Sequence, residues 1–154
     1  MGKYDRKNAI DYAKRWAYKR NPKYYNFDNI GGDCTSFISQ CLFAGYNEMN
    51  YKKHTGWYYN SISDRAPAWS GVEFLYNFLV NNKGKGPKAE LTSKNLCTIG
   101  DIIQLKFDNN NFGHSLIIVD KKVDNIFVAC HTEDAYYKNL KMYNYNDIRF
   151  LHCQ

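Results

Sequence analysis

Apolar residues in the first part of the chain recur at the spacing of a helix. One such run extends from about Tyr4 to Arg20, and Asn21-Pro22 ends it because the residue before a proline disfavours helical geometry. A second run starts at Cys34 and stops at Gly45. Its apolar face consists of Phe37, Ile38, Cys41 and Leu42. The pattern predicts two helices that cover a core.

The next segment, residues 46–68, has no clear period and is rich in Asn, Ser, Tyr and Trp. It predicts an ordered loop that forms the wall of a cleft. A third helix is predicted over Val72 to about Asn81, and residues 70–73 have the form of a capping box at its start. Residues 84–87, which contain two glycines and a proline, end this helical half.

The remaining chain changes to short β-rich runs separated by polar turns. The predicted strands cover residues 102–107, 114–119, 126–131 and 149–153. A helical half followed by a meander predicts an α+β fold, with N-terminal helices packed on a C-terminal antiparallel sheet. The chain has 154 residues and no interdomain linker, so one domain over residues 1–154 is expected.

The charge balance favours polyanionic surroundings, since the formal net charge is +6. Nucleic acid, an anionic membrane and the acidic polymers of a bacterial wall all fit that charge. No stretch approaches the roughly 18 consecutive apolar residues of a membrane span. The first 20 residues are charged and amphipathic, unlike a signal peptide. If the natural protein is exported, this chain is a fragment, uses another export route, or is released by lysis.

The five cysteines have no paired spacing, and reduced thiols are therefore expected. A zinc site is not favoured, because the chain has no Cys-x-x-Cys motif. The neighbours Cys130-His131 and His152-Cys153 cannot readily both ligate one tetrahedral ion. We expect no metal and no other cofactor.

Cys34 is the main candidate for chemistry. Two glycines and an aspartate precede it, and a Thr-Ser pair follows, which suits a tightly turned helix start open to water. Free backbone N–H groups and the helix dipole at such a position favour thiolate over thiol. Cys41, two turns further along the apolar face, is expected to be a core residue.

Two histidines are candidates for partners of this cysteine. A hairpin that turns near Lys122-Val123 would place His114 opposite His131 on one face of the sheet. A cysteine nucleophile needs a base, and the base usually needs an orienting group. His114 fits the base, while His131, or else Asp134 or Glu133, fits the orienting group.

The chain resembles a known family over nearly its whole length. The resemblance rests on Tyr4-Asp5-Arg6, Tyr12-Ala13, Trp16, Asn21-Pro22-Lys23-Tyr24-Tyr25, Gly31-Gly32-Asp33-Cys34-Thr35, Ser39-Gln40-Cys41-Leu42, Gly56-Trp57-Tyr58, Trp69, Gly100-Asp101-Ile102, His114-Ser115-Leu116 and His131-Thr132. These motifs are similar to those of the putative amidase domain family of Gram-positive bacteria. That family looks like a branch of the NlpC-type papain-like cysteine peptidases.

The resemblance implies a papain-like, NlpC-like fold and a set of site residues. Cys34 would be the nucleophile, His114 the general base and then acid, and His131 the orienting third member. Asp33 and Tyr25 match positions that help to hold the substrate or the oxyanion. Trp57, in the segment predicted to wall the cleft, is expected to contact substrate. The chain departs from the NlpC pattern in having Thr-Ser after the cysteine and a longer segment over residues 47–87.

The expected reaction is amide hydrolysis through a thioester, and the resemblance implies peptidoglycan or cell-wall peptide as substrate. A secreted, wall-associated or phage-released monomer would suit that substrate. One alternative is acyl transfer by the same Cys-His site, in which an amine replaces water. Another is a non-catalytic wall or carbohydrate binder, with Trp57, Trp69 and the tyrosines as a stacking platform. Nucleic-acid binding is favoured only by the charge, and the chain has no motif for it.

Overall fold

A computed structural model describes residues 3–154 of the chain. Four α-helices lie in the first half of this range: α1 (Arg6–Trp16), α2 (Cys34–Tyr46), α3 (Pro67–Ser70) and α4 (Val72–Asn81). The β-strands are β1 (Tyr59–Ser61), β2 (Asp64–Arg65), β3 (Ala89–Thr92), β4 (Ile102–Lys106), β5 (His114–Lys122), β6 (Asn125–Cys130), β7 (Ala135–Asn139) and β8 (Asp147–Cys153). The fold is α+β, as predicted, with helices before an antiparallel sheet.

The helices follow the apolar pattern closely. The side chain of Asp5 caps α1 by accepting a hydrogen bond from the backbone N–H of Asn8, at 2.9 Å. Helix α1 is shorter than predicted and ends at Trp16. Helix α2 is buried on almost every side, including Cys41, because it lies between α1 and the sheet.

Helix α4 spans the predicted residues, but its predicted capping box is wrong. Its N-cap is Gly71, which has no side chain to donate or accept. The Ser70 hydroxyl instead accepts a hydrogen bond from Nε of Arg65, at 3.0 Å. The preceding segment, predicted as loop, contains the β1–β2 hairpin and the single turn of α3.

A six-stranded antiparallel sheet has the strand order β3-β8-β4-β5-β6-β7. The four inner strands, β8, β4, β5 and β6, are the ones that the sequence predicted. They were recognisable because buried strands have continuous or alternating apolar residues. The two edge strands, β3 and β7, were not predicted. Each is short and has one buried residue, so neither carries a strong apolar signal.

The predicted register between β5 and β6 is wrong by one residue. Ile117 pairs with Ala129 and Ile118 pairs with Val128, and a bulge follows Ile118. A shift of one residue moves a side chain to the other face. Strand β6 ends at Cys130, so His131 lies in the following turn and not opposite His114.

The sheet is covered on both faces. On the helix side, Ile117 of β5 and Ala129 of β6 belong to one core with α1, α2 and α4. On the other side, Leu116, Ile118 and Val128 pack under a short 3₁₀ helix (Leu140–Met142) and the residues after it. The N-terminus of α2 lies at the end of the sheet where β5 begins. Cys34 contacts Gly113, the residue before β5, and Thr35 contacts Ser115, the second residue of β5.

Candidate active site

Cys34 is the first residue of α2, at the end of a sharp turn. Gly31 and Gly32 both have positive φ values, 81° and 94°, which only glycine adopts without strain. The carbonyl of Phe27 accepts hydrogen bonds from the N–H groups of Ile30 and Gly32 and closes the turn. Cys34 is 6% exposed and therefore nearly buried at the helix start.

The contacts of Cys34 tie it to the beginning of β5. Its Sγ lies 4.0 Å from the carbonyl oxygen of Gly113 and 3.7 Å from Oγ1 of Thr35. The Thr35 and Ser115 hydroxyls share a buried hydrogen bond of 3.0 Å. The residues after Cys34 and after His114 are thus bonded to each other, and this contact brings the two candidates to the same end of the sheet.

His114 is buried between two aromatic rings. The ring centroids of Phe107 and Tyr143 lie 6.0 and 6.2 Å from that of its imidazole. Burial, and then the charge of Lys138, lower the pKa of His114 to about 4. The imidazole has no hydrogen-bond partner among residues 3–154. At neutral pH the ring is uncharged, and its nitrogens are available to a substrate or to a thiol.

Asp33, the residue before Cys34, is buried and has both carboxylate oxygens occupied within the protein. Oδ1 accepts a hydrogen bond from the backbone N–H of Phe27, at 2.9 Å, and Oδ2 lies 2.6 Å from Nδ1 of His131. Nε of Arg20 is 3.6 Å from the same Oδ2. These contacts do not fit the expected role in substrate binding. They make Asp33 a positioning residue that fixes the turn before Cys34.

His131 is buried and both of its ring nitrogens are occupied. Nε2 donates to the carbonyl of Trp16, at 2.8 Å, and this carbonyl at the C-terminus of α1 also accepts from the backbone N–H of Lys19, at 3.3 Å. Because a carboxylate oxygen faces Nδ1, a proton must lie between Nδ1 and Oδ2 of Asp33. The ring stacks on Phe37, with centroids 3.9 Å apart. The expected orienting bond to His114 is therefore absent, and His131 joins α1, α2 and the end of β6.

Asp134, the alternative third residue, also bonds elsewhere. Its two oxygens accept hydrogen bonds from Arg20, at 2.9 and 3.0 Å. Glu133 is exposed, and only its backbone carbonyl contacts the Cys130 thiol, at 3.9 Å. Cys34 and His114 thus lie at the same end of the sheet without a hydrogen bond between them, and no side chain among the described residues orients His114.

The two aromatic candidates differ in their positions. Tyr25 is 36% exposed, packs edge-on against Phe27 and has a hydroxyl without a partner in the described chain. Trp57 is fully buried, donates its indole N–H to Ser39 at 3.0 Å and packs against Trp69. The prediction that Trp57 contacts substrate is wrong, since it lines no surface. Neither tryptophan can form the exposed stacking platform of a binding protein.

A cleft of about 470 Å³ lies against the two rings that flank His114, although neither His114 nor Cys34 lines it, and nothing in the sequence indicated it. Two of its walls, Phe107 and Tyr143, are the rings that flank the imidazole. The remaining lining residues are Lys141, Asn144, Tyr145 and Asn146. Most of them follow β7, whose existence the sequence did not indicate. A larger cavity of about 640 Å³ lies between residues 50–56 and α4 and includes neither Cys34 nor His114.

The described residues also show what other groups the chain could hold. Within residues 3–154, no three His, Cys, Asp or Glu side chains are arranged to hold a metal ion. All five cysteines are free and buried. In the same part of the chain, no helix is long and apolar enough to cross a membrane.

Comparisons with known proteins give a family and a relative. Residues 3–153 match the sequence profile of a family described as "putative amidase domain". YhbB of Bacillus subtilis, an uncharacterized protein, is 32% identical over 148 residues, which cover 94% of this chain and 45% of YhbB. The chain therefore spans less than half the length of this curated relative. No solved structure gives a significant match.

Proposed function

The chain belongs to the putative amidase domain family, and from that premise we propose that it hydrolyses an amide bond with Cys34 as nucleophile and His114 as base. The observation that supports this assignment best is the hydrogen bond of 3.0 Å between Thr35 and Ser115. It holds a cysteine at a helix N-terminus beside the first residue of β5, an uncharged histidine. The two groups that thioester chemistry requires thus lie at one end of the sheet.

In the first half of the reaction, the Cys34 sulfur bonds to the carbonyl carbon of the substrate and its proton passes to His114. The free N–H groups in the first turn of α2 stabilise the oxyanion of the tetrahedral intermediate. The intermediate then collapses, the C–N bond breaks, and the His114 imidazolium gives its proton to the departing amine. A thioester between Cys34 and the acyl group remains.

In the second half, His114 takes a proton from water as the hydroxide oxygen bonds to the thioester carbonyl. The C–S bond breaks, the acid leaves, and the proton returns to the sulfur. The lowered pKa of His114, about 4, has a consequence for this cycle. A buried imidazolium is disfavoured at rest, so His114 is neutral until the substrate arrives, and it takes its proton as the attack proceeds.

The proposed substrate is an amide or peptide bond of bacterial peptidoglycan. Two observations support it: the net charge of +6, which suits an acidic wall polymer, and the resemblance of the motifs to NlpC-type papain-like peptidases. A helix that begins with cysteine and packs on an antiparallel sheet is in keeping with that fold. The proposed location is outside the cell or at the wall, where this substrate lies.

The test uses purified Gram-positive peptidoglycan and three proteins: the wild type, Cys34→Ala and Cys41→Ala. Cys41 is buried on the same helix, far from the helix start, and serves as the matched control. We expect the wild type and Cys41→Ala to release fragments, and mass spectrometry of the new amine ends names the bond. Release that does not depend on Cys34 would refute the proposal. Binding to the wall without release would indicate a binding domain, and products joined to an amine would indicate acyl transfer.

A further inference from the structure

Lys138 lies near the candidate site, although neither the motifs nor the proposed reaction uses it. It is on β7, opposite Val128 of β6, which in turn pairs with Ile118 of β5. Residues paired in this way project to the same face of a sheet. Lys138 therefore shares a face with Ile118 and, at alternate positions along β5, with His114.

The ammonium group of Lys138 reaches toward His114 over an aromatic ring. Its Nζ lies 4.3 Å from the centroid of Tyr143, whose ring is in turn 6.2 Å from that of His114. The hydroxyl of Tyr143 contacts the Cys130 thiol at 3.2 Å. Burial raises the pKa of that thiol, and the charges of Cys34, Lys138 and Asp134 act on it as well.

The charges of Asp134 and Glu133 also act in this region, but Asp134 pairs with Arg20 and Glu133 is exposed, and neither forms an ion pair with Lys138. Within residues 3–154, Lys138 forms no ion pair, whereas Arg20 pairs with both Asp28 and Asp134. Its charge also disfavours the imidazolium form of His114. A cation near a general base lowers the basicity that the reaction needs. That arrangement becomes favourable when an anion binds beside Lys138 and offsets its charge.

The cleft beside Phe107 and Tyr143 is suited to such an anion, and Lys138 reaches its edge by lying over the Tyr143 ring without lining it. Besides the rings of Phe107 and Tyr143, it is lined by a lysine, two asparagines and a further tyrosine, and it contains no acidic side chain. Lysine ammonium, amide and phenol groups all donate hydrogen bonds to a carboxylate. The surroundings of His114 therefore combine space for a substrate with positive charge.

We propose that Lys138 is a specificity-determining residue that binds a carboxylate of the substrate next to the scissile amide. The inference rests on the proposed amidase function and narrows its substrate class to amides that carry a free carboxylate near the reacting carbonyl. Such a substrate offsets the charge of Lys138 when it binds and thereby makes His114 a stronger base. A substrate analogue without this carboxylate binds more weakly and leaves His114 a weak base.

The first test measures the local charge at Cys34 without any hydrolysis. Cys34 is alkylated with iodoacetate, which is anionic, and with iodoacetamide, which is neutral and of similar size, and the ratio of the two rates is recorded. In Lys138→Met we expect this ratio to fall about fivefold, because one nearby positive charge is lost. Lys138→Arg keeps the charge and should keep the ratio. Lys122→Met loses the same charge at the far end of β5 and should leave the ratio unchanged.

The second test compares peptidoglycan-derived peptides whose carboxylates are free or amidated. The wild type should prefer the free form through a lower KM, and Lys138→Met should lose the preference. An alkylation ratio in Lys138→Met equal to that in Lys122→Met would overturn the inference, even if amides are hydrolysed. If the alkylation ratio falls in Lys138→Met but the wild type cleaves no amide, the anion site stands and the amidase proposal is refuted.

Discussion

The carboxylate of Asp33 and the imidazole of His131 lie 2.6 Å apart in a buried contact. This contact joins the end of β6 to the residue that precedes Cys34. His131 also binds the last carbonyl of α1, at Trp16. Through these two bonds, three separate elements fix the direction in which α2 begins, and so fix the position of its first side chain.

Asp33→Asn should destabilise the protein strongly, by about 3–5 kcal/mol, because it removes a buried carboxylate whose oxygens are bonded to His131 and to the backbone N–H of Phe27. Asp134→Asn is the matched control, since Asp134 also contacts Arg20 but is partly exposed. An exposed pair is worth only about 0–1 kcal/mol. Urea unfolding of both variants measures the difference. Equal, small losses would show that the contact between Asp33 and His131 does not hold the helix start.

His114 should make the stability of the protein depend on pH. Its pKa is lowered from about 6.5 to about 4 by burial and by Lys138, so between these values the unfolded chain binds a proton that the folded protein does not. Stability therefore falls as the pH drops from 6.5 to 4 and levels off below 4. The contribution is about 3 kcal/mol.

Unfolding of the wild type and His114→Gln at several pH values isolates this contribution. The variant should lose less stability than the wild type across the window, because it has no group there to titrate. Parallel curves for the two proteins would contradict the lowered pKa of His114. A direct check is the titration of the His114 ring by NMR, in which Lys138→Met should raise the observed pKa.

Trp57→Phe should reduce stability and leave catalysis intact. The substitution removes the indole N–H that donates to Ser39 and part of a buried ring. The expected loss is about 1–3 kcal/mol. KM and the rate of Cys34 alkylation should remain those of the wild type, because Trp57 lines no surface. A raised KM in a fully folded Trp57→Phe variant would show that Trp57 contributes to substrate binding after all.

The sequence predicted those features that depend on one continuous segment. Helices α2 and α4 carry clear periods, and the glycines before Cys34 indicate the turn that the positive φ values of Gly31 and Gly32 require. The start of β5 at His114 is also local, because a polar loop precedes a strongly apolar run. Local patterns selected Cys34 and His114 as candidates, and their catalytic roles remain predictions.

The sequence failed where a feature depends on contacts between segments. The role of His131 was inferred from a strand register, and a bulge near Ile118 with an earlier end of β6 moved it out of line. Strand β7 has Tyr137 at a positive φ of 63°, which no propensity predicts. Lys138 and Tyr143 reach His114 only through that strand and the turn after it, so no spacing in the sequence indicated them.

The most direct test of the account is to trap the thioester on Cys34. The protein is mixed with peptidoglycan-derived peptides, quenched in acid within seconds, and its mass is measured intact and after digestion. We expect an added mass equal to the acyl fragment on the peptide that contains Cys34, together with hydrolysis in the wild type. Cys34→Ala should show neither. Undiminished hydrolysis by Cys34→Ala, or an adduct on another cysteine, would contradict the assignment of Cys34 as the nucleophile.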